Sequence, residues 1–123
     1  MSRKIGTIGE QMAEEYLEEK GYILLQKNFC IPGGEIDLIM KDHEYFIFIE
    51  VKMRSQGSFG TPEESITPQK LNFLRRSVQK YFMKKNISIY DIDFRMDLVA
   101  IESDGKGKSK ITHYKNAFSF DDF

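Results

Sequence analysis

The stretch Gly34-Glu35-Ile36-Asp37-Leu38-Ile39-Met40 is followed, after Lys41-Asp42-His43-Glu44, by Tyr45-Phe46-Ile47-Phe48-Ile49-Glu50-Val51-Lys52-Met53. Both runs read as apolar strands, over residues 35–40 and 45–53, yet each carries charge where a buried strand should carry none. Side chains alternate across a strand, so Glu50 and Lys52 are expected on one face, and Glu35 and Asp37 likewise. A turn at residues 41–44 folds the strands antiparallel and brings Asp37 laterally close to Glu50 and Lys52. Two or three carboxylates and an ammonium on one patch can hold a divalent metal beside a scissile phosphate.

Working outward, residues 7–20 predict a helix, with Ser2 available as an earlier N-cap. At 100° per residue Gly9, Met12, Ala13, Tyr16 and Leu17 share an arc, with Glu10 at its edge, while Glu14, Glu15, Glu18 and Glu19 lie elsewhere. Gly21 ends this helix. A strand over 22–28 and a Pro32-Gly33-Gly34 turn lead into the charged hairpin. Residues 54–66 form a loop with Gly57, Gly60 and Pro62. Thr67 then caps a second helix over 68–85, with Pro68 in the first position. Its apolar side is Leu71, Leu74, Val78, Tyr81 and Phe82; Arg76, Lys80 and Lys84 lie nearly opposite, flanked by Lys70. Strands over 92–102 and 110–115 close the chain, joined by a Gly/Lys-rich loop, and 117–123 is an aromatic-acidic tail, docked or loose. The order α-β-β-β-α-β-β gives an α/β fold, a mixed central sheet flanked by helices, on which Glu10 could reach the face carrying Asp37, Glu50 and Lys52.

A chain of 123 residues fits one domain, and 41% hydrophobic with 30% charged residues suits a water-soluble one. No apolar run approaches a membrane span, and no signal-peptide core follows the N-terminus. One cysteine, Cys30, excludes an internal disulfide and agrees with a cytoplasmic location. With only His43 and His113 beside it, an ordinary structural zinc site is excluded, so a metal here would be oxygen-ligated magnesium or manganese. The net charge of −1 speaks against a nucleic-acid binder in bulk; local basic patches decide that question instead.

The joint pattern Gly6-x-x-Gly9-Glu10-x-x-Ala13, Tyr16-Leu17, Gly21-Tyr22, Gly34-Glu35-Ile36-Asp37-Leu38-Ile39, Phe48-Ile49-Glu50-Val51-Lys52-x-Arg54, Phe59-Gly60, Lys70 and Phe94-x-x-Asp97 resembles the YraN-type family of small bacterial proteins, along almost the whole chain. That family is assigned to the restriction-endonuclease-like fold and is similar in arrangement to archaeal Holliday-junction resolvases. The resemblance implies that Glu10, Asp37 and Glu50 surround a Mg2+ or Mn2+ ion, that Lys52 works beside the attacking water, and that Lys70 faces the site. Where many relatives have arginines, this chain reads Asn28-Phe29-Cys30-Ile31-Pro32-Gly33, which removes a phosphate contact. The implied activity is metal-dependent endonucleolytic hydrolysis of DNA, branched or junction DNA included, in repair or recombination. A symmetric junction would suit a homodimer. Arg54, Lys70, Arg76, Lys80 and Lys84, with Lys106, Lys108 and Lys110, are the candidate backbone contacts.

Blander readings stand beside these. Glu50 and Lys52 can form an exposed ion pair, Glu35 can pair with Lys52, and Asp97 can be structural, paired with Arg95 or a neighbouring strand. His43, His113 and Cys30 need carry no chemistry. Two functional rivals follow: a non-cleaving nucleic-acid-binding module of the same fold, and a protein-interaction adaptor using the tail.

Overall fold

A computed structural model of the chain describes residues 2–55, 57, 60 and 66–118, with side chains from Ile8 onward. Its elements run α1 (Ser2–Glu18), β1 (Ile23–Ile31), β2 (Gly34–Asp42), β3 (Tyr45–Ser55), α2 (Pro68–Lys84), β4 (Asp93–Ser103) and β5 (Ser109–Phe118). This is the expected order. Of the expected 54–66 loop, Arg54 and Ser55 belong instead to β3, and of the expected 117–123 tail, Ala117 and Phe118 belong to β5, Phe118 being buried; residues 56, 58, 59, 61–65 and 119–123 lie outside the described residues.

The five strands lie side by side in chain order. β1, β2 and β3 form an antiparallel meander, β3 and β4 pair in parallel, and β5 returns antiparallel to β4. The parallel pair requires a crossover, which α2 supplies by packing on one face of the sheet; α1 covers the other. Alternation along β3 divides two cores. Phe48 joins Phe73, Leu74, Val78 and Phe82 under α2, whereas Ile47 and Ile49 join Ala13 and Leu17 under α1. Burying such side chains stabilises the fold by roughly 1.5–3 kcal/mol each.

Local chemistry places the ends. Thr67 caps α2, its hydroxyl accepting the Lys70 N–H at 3.1 Å, with Pro68 in the first turn. The buried side of α2 includes Phe73 and Ser77 besides the expected residues; the Ser77 hydroxyl donates to the Phe73 carbonyl at 2.9 Å, which lets a polar side chain sit there. Phe73 is buried because the Gly33-Gly34 turn lies directly upon it. A Cβ on Gly34 would come within 3.2 Å of its ring, and Gly33 and Gly34 have φ of 108° and 151°. α1 begins earlier than the 7–20 expectation and ends two residues short of it.

The β2–β3 ladder runs from Asp42↔Tyr45 to Leu38↔Ile49. Beyond it the Asp37 carboxylate takes the place of a main-chain partner, accepting the Val51 N–H at 2.8 Å. Across on β1, Asn28 falls between the pairs Lys27↔Leu38 and Phe29↔Ile36 and has a left-handed φ of 51°. Ile36 consequently packs under α2 while Leu38 packs under α1, although strict alternation would put them on one face. Here the sheet opens, and a side chain from α1 can approach from its edge.

Candidate functional site

α1 delivers Glu10 to this opening. The helix can lie close to β3 because position 9 is glycine: a Cβ there would stand 2.5 Å from the Met53 sulfur. Glu10 is only 8% exposed, and its Oε1 accepts from the Asn28 side-chain amide at 2.8 Å. The same amide approaches Glu35 Oε1 at 3.4 Å, and Cys30 Sγ donates to Glu35 Oε2 at 3.4 Å. Glu10, Glu35 and Asp37 each present an oxygen within 4.8 Å of the others.

Glu50 joins from β3. Its Oε2 accepts from Lys70 Nζ of α2 at 2.8 Å, with the glutamate side chain 12% exposed and the lysine 32%. Its Oε1 is buried with no hydrogen-bond partner among the described residues. Burial, and then the adjacent Glu50 charge, push the Asp37 carboxyl up to about 8; Glu10 adds to this, while the Val51 N–H and Lys70 oppose it. Burial raises Glu50 as well, against the pull of Lys70. Two crowded carboxyls resist ionising together, and Lys70 offsets the charge of Glu50 only. Lys52 stands within electrostatic reach of Glu50. The exposed Glu50–Lys52 pair is therefore not what forms: Lys70, reaching down from the helix above, takes the carboxylate. Nor does Glu35 turn to Lys52, since Asn28 and Cys30 hold it.

The structure thus brings together Glu10, Asp37 and Glu50, with Lys52 and Lys70 beside them. Two further members, Glu35 and Asn28, were not among the expected ligands. Alternation places Glu35 on one strand face with Asp37; nothing local signals the left-handed turn that aims Asn28. Arg54 lies farther along β3, where its Nη2 donates to the Gly60 carbonyl at 2.9 Å. Arg76, Lys80 and Lys84 are not in the pocket but exposed along the outer side of α2. Lys106, Lys108 and Lys110 are exposed on the β4–β5 hairpin, which meets the end of β3 across a hollow lined by Ser55 and Asp104.

Asp97 lies elsewhere and is structural, as the blander reading had it. It is wholly buried, bonded to Arg95 Nε at 3.0 Å, His113 Nε2 at 2.6 Å and the Asn116 N–H at 2.9 Å. Burial opposes its charge, yet these bonds together hold its carboxyl below the ordinary range. His113 is accounted for by the same contact.

Fold and site define a class: a mixed α/β protein with an all-oxygen carboxylate pocket at the fork of two strands. Residues 9–101 match the profile of the uncharacterised protein family UPF0102. Among relatives, a UPF0102 protein of Alkaliphilus oremlandii is 42% identical over 96% of this chain and all of its own length. One from Carboxydothermus hydrogenoformans is 38% identical over 96% of this chain and 98% of its own. One from Aliivibrio fischeri is 40% identical over 94% and 91%. The chain belongs to the UPF0102 family, the YraN-type family its motifs resemble. None of the described helices is long and apolar enough to cross a membrane.

Proposed function

We propose that this protein is a divalent-cation-dependent endonuclease of restriction-endonuclease-like fold that hydrolyses phosphodiester bonds in DNA. One observation carries the reading: Asp37 and Glu50, half-buried beside each other, are joined by Glu10 and Glu35, so that carboxylates outnumber the neighbouring Lys52 and Lys70. The residues fit magnesium or manganese. All donors are hard carboxylate oxygens; those of Glu10, Glu35 and Asp37 lie within 4.8 Å of one another, and Glu50 borders them with a buried Oε1 that meets no hydrogen-bond donor among the described residues. Asp37 and Glu50 would hold the ion, with Glu10 completing its surroundings and Glu35 adjacent. Its contribution there would be Lewis-acid polarisation of a phosphate oxygen and activation of water.

The chain's own residues supply the rest. Asn28 fixes the Glu10 carboxylate through its amide. Lys52 places positive charge where negative charge grows on the phosphate in the transition state. Lys70 neutralises Glu50 until the substrate arrives, and then lies near the phosphate. Arg76, Lys80 and Lys84 are placed to receive phosphates outside the pocket, which makes binding salt-sensitive.

Titration calorimetry with magnesium and manganese tests the pocket: the wild type should bind, and Asp37→Asn should not. In a panel of four-way junctions, flaps, single strands and duplexes, whatever cleavage the wild type shows should then be lost in Lys52→Ala with cation binding retained. Equal cleavage by Lys52→Ala and wild type would refute the assignment. The Lys70–Glu50 contact favours one second reading, a binding module that does not cut, because an ammonium at 2.8 Å competes with a cation for Glu50. In that case Lys70→Ala would create cation binding absent from the wild type.

A further inference from the structure

Two adjoining hollows of about 260 and 370 Å³ lie between the end of β1 and the outer side of α2. Ile31, Pro32 and Met83 are common to both and make their apolar floor. Met83 is 66% exposed, a large apolar side chain left to water. The rim is cationic: Arg76 and Lys80 border the first hollow, Lys80 and Lys84 the second. Rings below hold some of these cations in place, with Arg76 5.8 Å from the Phe73 centroid and Lys84 5.9 Å from that of Phe29.

Phe73 is the neighbour that the groove and the carboxylate pocket share. Phe73, beneath the Gly33-Gly34 turn, carries Arg76 over one part of its ring and Lys70 at 5.2 Å over another, and Lys70 in turn bonds Glu50. At 1.5 Å per helical residue, Lys80 lies about 15 Å along α2 from Lys70, a span of a few nucleotides. An apolar trough walled by regularly placed cations complements a ligand that alternates flat apolar groups with anions. A nucleic-acid strand has that composition, and its bases reach such a floor only when they have left the stack. Resting on the nuclease reading above, the geometry points to this groove as the seat of an unstacked base in a single-stranded stretch flanking the scissile phosphate, with neighbouring phosphates on Arg76, Lys80 and Lys84. The substrate class this selects is nucleic acid with unpaired nucleotides next to the cut, rather than continuous duplex.

The test is fluorescence anisotropy on the full chain with a labelled single strand of about twelve nucleotides, against a duplex of equal length, in chelator so that no cleavage occurs. The single strand should bind about tenfold more tightly than the duplex. Met83→Ser should weaken the single strand several-fold and the duplex hardly at all, and Lys80→Ala should reduce the salt slope by about one. Unchanged single-strand binding by Met83→Ser, a preference for duplex, or stronger binding of a labelled polyglutamate peptide, as expected if β1 accepted an acidic strand, would overturn the inference. Calorimetry with magnesium separates the two readings. Cation binding with silent groove variants sinks the groove alone, whereas groove-dependent binding of the strand by a protein that takes no cation sinks the nuclease and leaves the groove.

Discussion

The Asp37 carboxyl accepts the Val51 N–H at 2.8 Å and also stands, half-buried, beside Glu50 and Glu10. In the unfolded chain it loses its proton near pH 4, whereas in the folded protein it keeps it to about 8. Between those values the folded state binds the extra proton, so stability falls as pH rises from about 4 to about 8 and then levels off. Asp37→Asn keeps an acceptor for the Val51 N–H and removes the charge. Without cation, the variant should therefore exceed the wild type by about 1–3 kcal/mol at pH 8 and match it near pH 4. Urea unfolding at both pH values measures this, and a variant weaker than wild type at pH 8 would contradict the crowding of carboxyls.

Among the elements, α1 and its glycine set the reach of the site. Gly9 lets the helix lie against Val51 and Met53. Met53 is flexible enough to yield to a methyl group, so Gly9→Ala should be tolerated. Gly9→Leu has to lift the helix and Glu10 with it, and should reduce magnesium affinity about 10–100-fold while the protein stays folded. Calorimetry beside circular dichroism reads both effects; undiminished affinity would detach Glu10 from the pocket. Elements were the most legible feature of the sequence, because periodicity, the Thr67-Pro68 cap and the Pro32-Gly33-Gly34 turn are local signals that tertiary packing did not override. Glu10, Asp37 and Glu50 were legible as a set only through a joint motif. What could not be read depends on distant partners. Strict alternation fails where Asn28 faces Asp37, so Ile36 and Leu38 part company, and the Lys70 ammonium meets Glu50 only because the crossover helix lays its first turn above β3.

Across the whole molecule, Asp97 fastens separate parts of the sheet. Through Asn116 and His113 it holds β5, and through Arg95 it connects to the Tyr22 hydroxyl before β1 and to Asp42 at the end of β2. Asp97→Ala leaves Arg95 only the Asp42 carboxylate, at 3.9 Å, and frees the His113 and Asn116 donors, and should cost about 3–5 kcal/mol, seen as a lower urea midpoint. Because the fold depresses the Asp97 pKa, the stability it contributes is present above pH 4 and disappears as pH falls through its folded value. A midpoint unchanged by the substitution would remove Asp97 from this role.

The outermost strands, β1 and β5, each contain an asparagine in the left-handed region, Asn28 at φ 51° and Asn116 at φ 53°. Each also carries an irregular register with its neighbour. A flat, extended border invites another chain to zip onto its free amides and carbonyls; a border bent at mid-length does not. Asn116, at the break in the β4–β5 register, and Asn28, with the nearby break between Leu24 and Gln26, thus make both outer strands, as described, poor templates for fibril growth.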